Sequence, residues 1–199
     1  MNDLNIHEKF MLRALHLAKK GQGNVSPNPM VGCIIVKNGK VIGEGYHKKF
    51  GGNHAEIEAI QNCIEDPTDA ALYVTLEPCS HYGKTGPCCN AIVESGIRDV
   101  YVSMLDPNDE VNGSGIEYLE NKGIHVQSNI LFDESISLNK GYLNWIKTNK
   151  PYVIGKLAQD SRGFIAKKGK KVWITSKNSK INSHKIRSEV DAILVGKNT

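Results

Sequence analysis

Over residues 7–20 the apolar positions Phe10, Met11, Ala14, Leu15, Leu17 and Ala18 recur at helical spacing, and Gly21 follows as a stop. An amphipathic helix is expected there. The period then changes. Val31-Gly32-Cys33-Ile34-Ile35-Val36 and Lys40-Val41-Ile42-Gly43 are β-rich runs on either side of Asn38-Gly39, a pair that accepts left-handed backbone at both positions, so a hairpin is expected. Helical patterns over residues 55–63, 87–94 and 115–121 then alternate with strand-like runs at 72–76, 100–104 and 124–127, and residues 131–147 read as one long helix. A hairpin followed by strand–helix alternation predicts a three-layer α/β/α sandwich on a mixed sheet. No internal repeat or low-complexity segment interrupts it.

Composition narrows the class. With 199 residues, 40% hydrophobic, 23% charged, 19 glycines and 7 prolines, the chain is neither collagen-like nor disordered nor a disulfide scaffold. The length suits one full domain and a remainder. No apolar run approaches the roughly 18 residues of a membrane span, and residues 1–10 lack the apolar core of an export signal. A cytoplasmic location without membrane association is therefore expected. The five cysteines are an odd number, expected reduced, and so available for metal or burial. Cys33 and Cys63 lie on apolar faces and read as small core residues.

Charge is uneven. Residues 1–146 hold 12 Lys and Arg against 18 Asp and Glu, whereas 147–199 hold 13 against 3. The step falls near residues 147–151, so the expected domains are 1–147 and 148–199. A basic second part suits an anionic cofactor, a phosphorylated substrate or nucleic acid; the plain alternative is a solvated lysine face.

Chemistry gathers at three places. His54-Ala55-Glu56 stand at an expected helix start, Glu77-Pro78-Cys79 at an expected strand end, and Pro87-Cys88 open another helix. One imidazole and two thiolates suit Zn²⁺, and three protein ligands leave a fourth position for water. Pro87 fits a first helical turn, which puts Cys88 at the positive end of a helix, where a thiol ionises more readily. Glu56 can face that water without ligating the metal and carry its proton to a ring nitrogen or a departing amine. The alternative is a structural Cys/His site closed by His81 or Cys89. It leaves Glu56 without a role, and Cys89 should point away from its helical neighbour.

His-x-Glu followed by Pro-Cys…Cys is the pattern of zinc-dependent deaminases. Nucleic-acid and cytidine deaminases typically read Pro-Cys-x-x-Cys, whereas eight residues here separate Cys79 from Cys88. The segment Pro78-Cys79-Ser80-His81-Tyr82-Gly83-Lys84-Thr85-Gly86-Pro87-Cys88 resembles the deaminase half of the bifunctional riboflavin-biosynthesis deaminase–reductases, within the cytidine deaminase-like superfamily. Ser26-Pro27-Asn28-Pro29-Met30-Val31-Gly32, Asp106-Pro107-Asn108, Pro151-Tyr152-Val153, Trp173-Ile174-Thr175-Ser176 and Asp191-Ala192-Ile193-Leu194-Val195-Gly196 match the same family in the same order.

That resemblance implies one zinc held by His54, Cys79 and Cys88, with Glu56 as proton shuttle. The implied substrate is 2,5-diamino-6-ribosylamino-4(3H)-pyrimidinone 5′-phosphate, which loses its 2-amino group as ammonia. Asn28, His47, His81, Lys84, Asp106 and Asn108 are the implied pocket residues: Asn28 both donates and accepts towards a heterocycle edge, and Lys84 is a point charge for phosphate. Ordinary turn, surface or solvated roles are the plain alternatives for these positions. From about residue 151 the chain is similar to the start of the family's NADPH-dependent, dihydrofolate reductase-like domain. There strand-like residues 152–157, 173–175 and 192–195 alternate with a lysine-rich helix around 179–189. Thr175, Ser176, Gly196 and Thr199 are its candidate cofactor contacts. Phe164 replaces the lysine the family usually carries there. A chain ending at Thr199 is expected not to reduce anything, its three strands lacking partners; a longer polypeptide would carry both activities. The expected partners are a phosphorylated pyrimidine and further copies of the chain, as the family is typically oligomeric, with no nucleic acid. A tRNA or nucleoside deaminase and a non-catalytic zinc-stabilised module are the rival readings.

Overall fold

Asn38 and Gly39 both take left-handed backbone, at φ 50° and 73°, and join β1 (Gly32–Lys37) to β2 (Lys40–Tyr46) as an antiparallel hairpin. The computed structural model describes residues 4–81, 86–108, 112–166, 169–170 and 172–197. The chain divides into two compact units, Met1–Pro151 and Tyr152–Thr199.

In the first unit, helix α1 (Ile6–Ala18) precedes the hairpin, with a capping box between Asn5 and Glu8 at its start and a 3-10 turn, Lys19–Gly21, at its end. There follow α2 (Ala55–Gln61), β3 (Ala71–Val74), α3 (Cys88–Glu94), β4 (Asp99–Val102), α4 (Ser114–Asn121) and β5 (His125–Gln127). The sheet order is β2-β1-β3-β4-β5, antiparallel across β2, β1 and β3 and parallel across β3, β4 and β5.

Strand alternation builds two cores. Cys33, Ile35, Leu72, Val74, Val100 and Val102 point to one face, where they meet Ala55 and Ala59 of α2, Cys89 and Ile92 of α3 and Leu119 of α4. Ile34, Val36 and Tyr73 point to the other, against Met11, Ala14 and Leu15 of α1. Helices thus cover both faces of a mixed sheet. Helix α2 lies close because β2 is glycine-rich: a Cβ at Gly45 would overlap the Ala55 carbonyl and the Ala59 amide.

Two expectations need correction. Residues 131–147 are not one helix. They form α5 (Phe132–Leu138) and α6 (Lys140–Thr148), broken at Asn139, whose side chain is engaged with the backbone of Met30 instead of solvent. In the second unit, α7 (Lys177–Ser188) forms, but residues 152–157, 173–175 and 192–195 are not strands. No described neighbour pairs with them, so the ladder that would hold them extended is missing, and Val153, Leu157, Trp173 and Leu194 stay exposed. Asp160 organises a tight turn there, accepting at Oδ1 from the amides of Arg162 and Phe164. Among the described residues, no helix is long and apolar enough to cross a membrane.

Candidate active site

Because β1 runs antiparallel to β3, with Cys33 opposite Val74, the segment entering β1 and the segments leaving β2, β3 and β4 open at one end of the sheet. Asn28 enters β1, His47 leaves β2, Glu77-Pro78-Cys79 leave β3, and Asp106 leaves β4. Helices α2 and α3 start at the same end. In open α/β sheets this edge is where ligands bind. The buried polar residues gather at this end too: His47, Glu56, Thr75, Glu77, Ser103, Ser135 and Asn139 stand on these segments or bond to them.

His54 precedes α2 with extended backbone, and Cys88 opens α3 after Pro87. His54 Nδ1 lies 3.2 Å from Cys88 Sγ and 3.5 Å from Cys79 Sγ, and the three ligand atoms lie within 4.8 Å of one another. Among the described residues no further His, Cys, Asp or Glu joins this group. Cys89 takes no part: its thiol turns to the carbonyls of Pro78 and Gly115.

The electrostatics follow from the crowding. Hydrogen bonds from Cys88 and His54 hold the Cys79 thiol well below the ordinary thiol range. The same bond to Cys79, with burial, pushes Cys88 up. His54 is raised to about 9, first by its hydrogen bond to Cys79 and then by the charges of Glu56 and Cys79. Glu56 is buried and hydrogen-bonded to Cys88; burial, partly offset by His54, lifts it to about 7.

Beside this cluster the His47 ring meets that of His54 edge-on, centroids 5.8 Å apart. His47 Nδ1 lies 2.9 Å from the Asn53 carbonyl, which can only accept, so Nδ1 carries the hydrogen and Nε2 accepts from Asn28 Nδ2 at 3.2 Å. Burial lowers the His47 pKa. Asp106 is held by three hydrogen bonds: its amide donates to Glu77 Oε2, and its Oδ1 accepts from Tyr142 and from the Asn108 amide. His81 is exposed on the loop between the two cysteines. Lys84 lies outside the described residues, as does Thr199. In the second unit Thr175 is half-buried, Gly196 is exposed, and Ser176 caps α7 by accepting from the Ser179 amide.

Glu77, which the sequence placed beside Pro78 and Cys79 without a role of its own, has one in the fold. Its carboxylate is buried and accepts from the amides of Asp106, Gly113, Gly115 and Ile116, tying the Cys79 segment to the loop after β4. A Cβ at Gly115 would overlap the Pro78 carbonyl, so only glycine lets the first turn of α4 reach this carboxylate. The signal was present: a charged residue directly after the apolar β3 run has to be satisfied by its surroundings.

Residues 4–104 match the family described as the cytidine and deoxycytidylate deaminase zinc-binding region. The riboflavin biosynthesis protein RibD of Aquifex aeolicus is 46% identical over 195 residues, covering 98% of this chain and 55% of that protein. The diaminohydroxyphosphoribosylamino-pyrimidine deaminase of Buchnera aphidicola subsp. Schizaphis graminum is 50% identical over 142 residues, 71% of this chain and 97% of that protein. A solved structure from Thermotoga maritima, a diaminohydroxyphosphoribosylaminopyrimidine deaminase/5-amino-6-(5-phosphoribosylamino)uracil reductase, superposes with a TM-score of 0.87 at 44% identity, covering 92% of this chain and 53% of that one. The chain spans about half the length of the RibD relatives it matches and nearly the whole of a relative named for the deaminase alone.

Proposed function

Since the chain belongs to the zinc-binding cytidine and deoxycytidylate deaminase family and its first unit carries the cytidine deaminase-like fold, we propose that this unit is the deaminase of riboflavin biosynthesis. It hydrolyses 2,5-diamino-6-ribosylamino-4(3H)-pyrimidinone 5′-phosphate to the corresponding uracil derivative, with water consumed and ammonia released. The observation that carries the reading is one imidazole and two thiol sulfurs converging beside a buried carboxylate.

The donor set fits Zn²⁺. For Zn–N near 2.0–2.1 Å and Zn–S near 2.3 Å, a tetrahedron has N–S edges of about 3.6 Å, close to the 3.2 and 3.5 Å found. His54, Cys79 and Cys88 would hold one ion, which supplies the Lewis acidity that makes a water nucleophilic at neutral pH. Glu56 then does the proton work. Its carboxylate accepts the proton of the attacking water and delivers it towards the ring nitrogen and the departing amine. Asn28 fixes the pyrimidine edge, with His47 orienting its amide so that the Asn28 oxygen faces the ligand. His81, Asp106 and Asn108 line the pocket, and Lys84 pairs with the phosphate. The second unit is the beginning of the NADPH-dependent reductase half, with Thr175, Ser176, Gly196 and Thr199 towards the cofactor; the match to RibD relatives through this part supports that assignment.

The test is ammonia release by the purified chain from the diaminopyrimidine ribotide, cytidine, deoxycytidylate and tRNA in parallel. Release from the ribotide alone is expected. Release from cytidine or tRNA with none from the ribotide would refute the substrate assignment.

A further inference from the structure

The break at Asn139 has a consequence for the site. Ser135 on α5, Asn139 at the break and Tyr142 on α6 are spaced i, i+4 and i+7 and form one polar face across the junction, and all three side chains reach the loop end of the sheet. Ser135 Oγ donates to the Thr75 carbonyl at 3.1 Å and lies 2.7 Å from Ser103 Oγ, seating this face on the ends of β3 and β4. Asn139, buried, makes a paired bond with Met30: the Met30 amide donates to Oδ1 at 2.8 Å, and Nδ2 donates to the Met30 carbonyl at 3.0 Å. Met30 is two residues after Asn28. One turn on, the Tyr142 hydroxyl donates to Asp106 Oδ1 at 2.9 Å. The α5–α6 junction therefore grips both loops that flank the His54–Cys79–Cys88 cluster, one on the Asn28 side and one on the Asp106 side.

We propose that Asn139 and Tyr142 are positioning residues that set the separation of the Asn28 and Asp106 loops, and with it how tightly the substrate is held. The inference rests on the deaminase reading for the identity of that substrate. Neither residue contacts the metal cluster in any of these bonds, so their effect belongs to binding and not to the proton transfers of Glu56. Both lie beyond residues 4–104, the stretch that matches the deaminase family. Tyr142 serves as a donor at working pH, because burial first, and then the Asp106 charge, push its phenol up.

The experiment compares the full chain with Tyr142→Phe, which removes one oxygen and keeps the ring, and with Asn139→Ala and Asn139→Asp. Loss of one hydrogen bond to a carboxylate predicts a KM for the ribotide about tenfold higher in Tyr142→Phe, with kcat within about twofold and zinc content unchanged. Calorimetric titration of the ribotide into a Glu56→Gln chain, with and without Tyr142→Phe, should show Kd rising by the same factor, and this readout needs no turnover. An unchanged KM and Kd in Tyr142→Phe overturns the inference, as does a fall in kcat accompanied by loss of zinc. A chain that binds the ribotide but releases no ammonia instead fails the deaminase reading, while the Kd comparison still decides the positioning role.

Discussion

The side chains at the site are poised by their neighbours more than by their own identity. His47 shows this most simply. The Asn53 carbonyl fixes its tautomer, and burial lowers its pKa from the ordinary 6.5. The neutral ring is therefore the folded form above that value, and its contribution is lost as pH falls through the depressed folded pKa. A proton on Nε2 would then face the Asn28 amide, donor against donor. The KM for the ribotide should be flat above about pH 6.5 and climb on further acidification, and that acid limb should disappear in His47→Asn, measured from initial rates across pH. Cys88 is the second case. Replacing its thiol by a hydroxyl removes one of three ligands, so Cys88→Ser should bring zinc by elemental analysis to below about one tenth of an ion per chain; a full complement of zinc would contradict its assignment as a ligand.

At the scale of elements, the sheet was legible and the loop ends were less so. Asn38-Gly39 announced the hairpin because its turn is local chemistry, and apolar runs along β1, β3 and β4 alternating with helical patterns announced a sheet covered on both faces. The break at Asn139 was not readable, since the partner of its amide, Met30, lies 109 residues away. The polar stripe Ser135, Asn139 and Tyr142 imitates a solvent face in sequence and is a packing face in the fold. The role of Glu77 was unreadable likewise, because its amide partners arrive from 29 to 39 residues downstream. Glu77→Gln turns an acceptor-only group into one that presents N–H to those amides. It should cost about 1–3 kcal/mol, read as a fall of roughly 2–10 °C in melting temperature. Gly45→Ala tests the seat of α2 in the same way: overpacking against Ala55 and Ala59 should destabilise the chain by about 1–3 kcal/mol, and weaken zinc retention because α2 carries Glu56 and follows His54.

Across the molecule, the polarity of the interior is concentrated at one end of one sheet, and that concentration is what the sequence motifs were pointing to. The convergence of His54, Cys79 and Cys88 was legible because metal ligation restricts residue type and spacing, and Glu56 stood out as a carboxylate two residues after one of them. Strands in the second unit were misread because an apolar run carries no record of whether a neighbour is there to pair with it. Among the described residues, the His54–Cys79–Cys88 cluster and the buried polar residues lie within Met1–Pro151, and a relative named for the deaminase alone is matched over 97% of its length. Removing residues 152–199 should therefore leave zinc content and ammonia release within about twofold of the full chain, by the same assays. The most direct measurement of the central claim pairs zinc analysis with ammonia release in the native chain and in Glu56→Gln. One zinc is expected in each, with ammonia formation falling by about 10² or more in the variant. Native-rate deamination by Glu56→Gln, or by a zinc-free native chain, would contradict it.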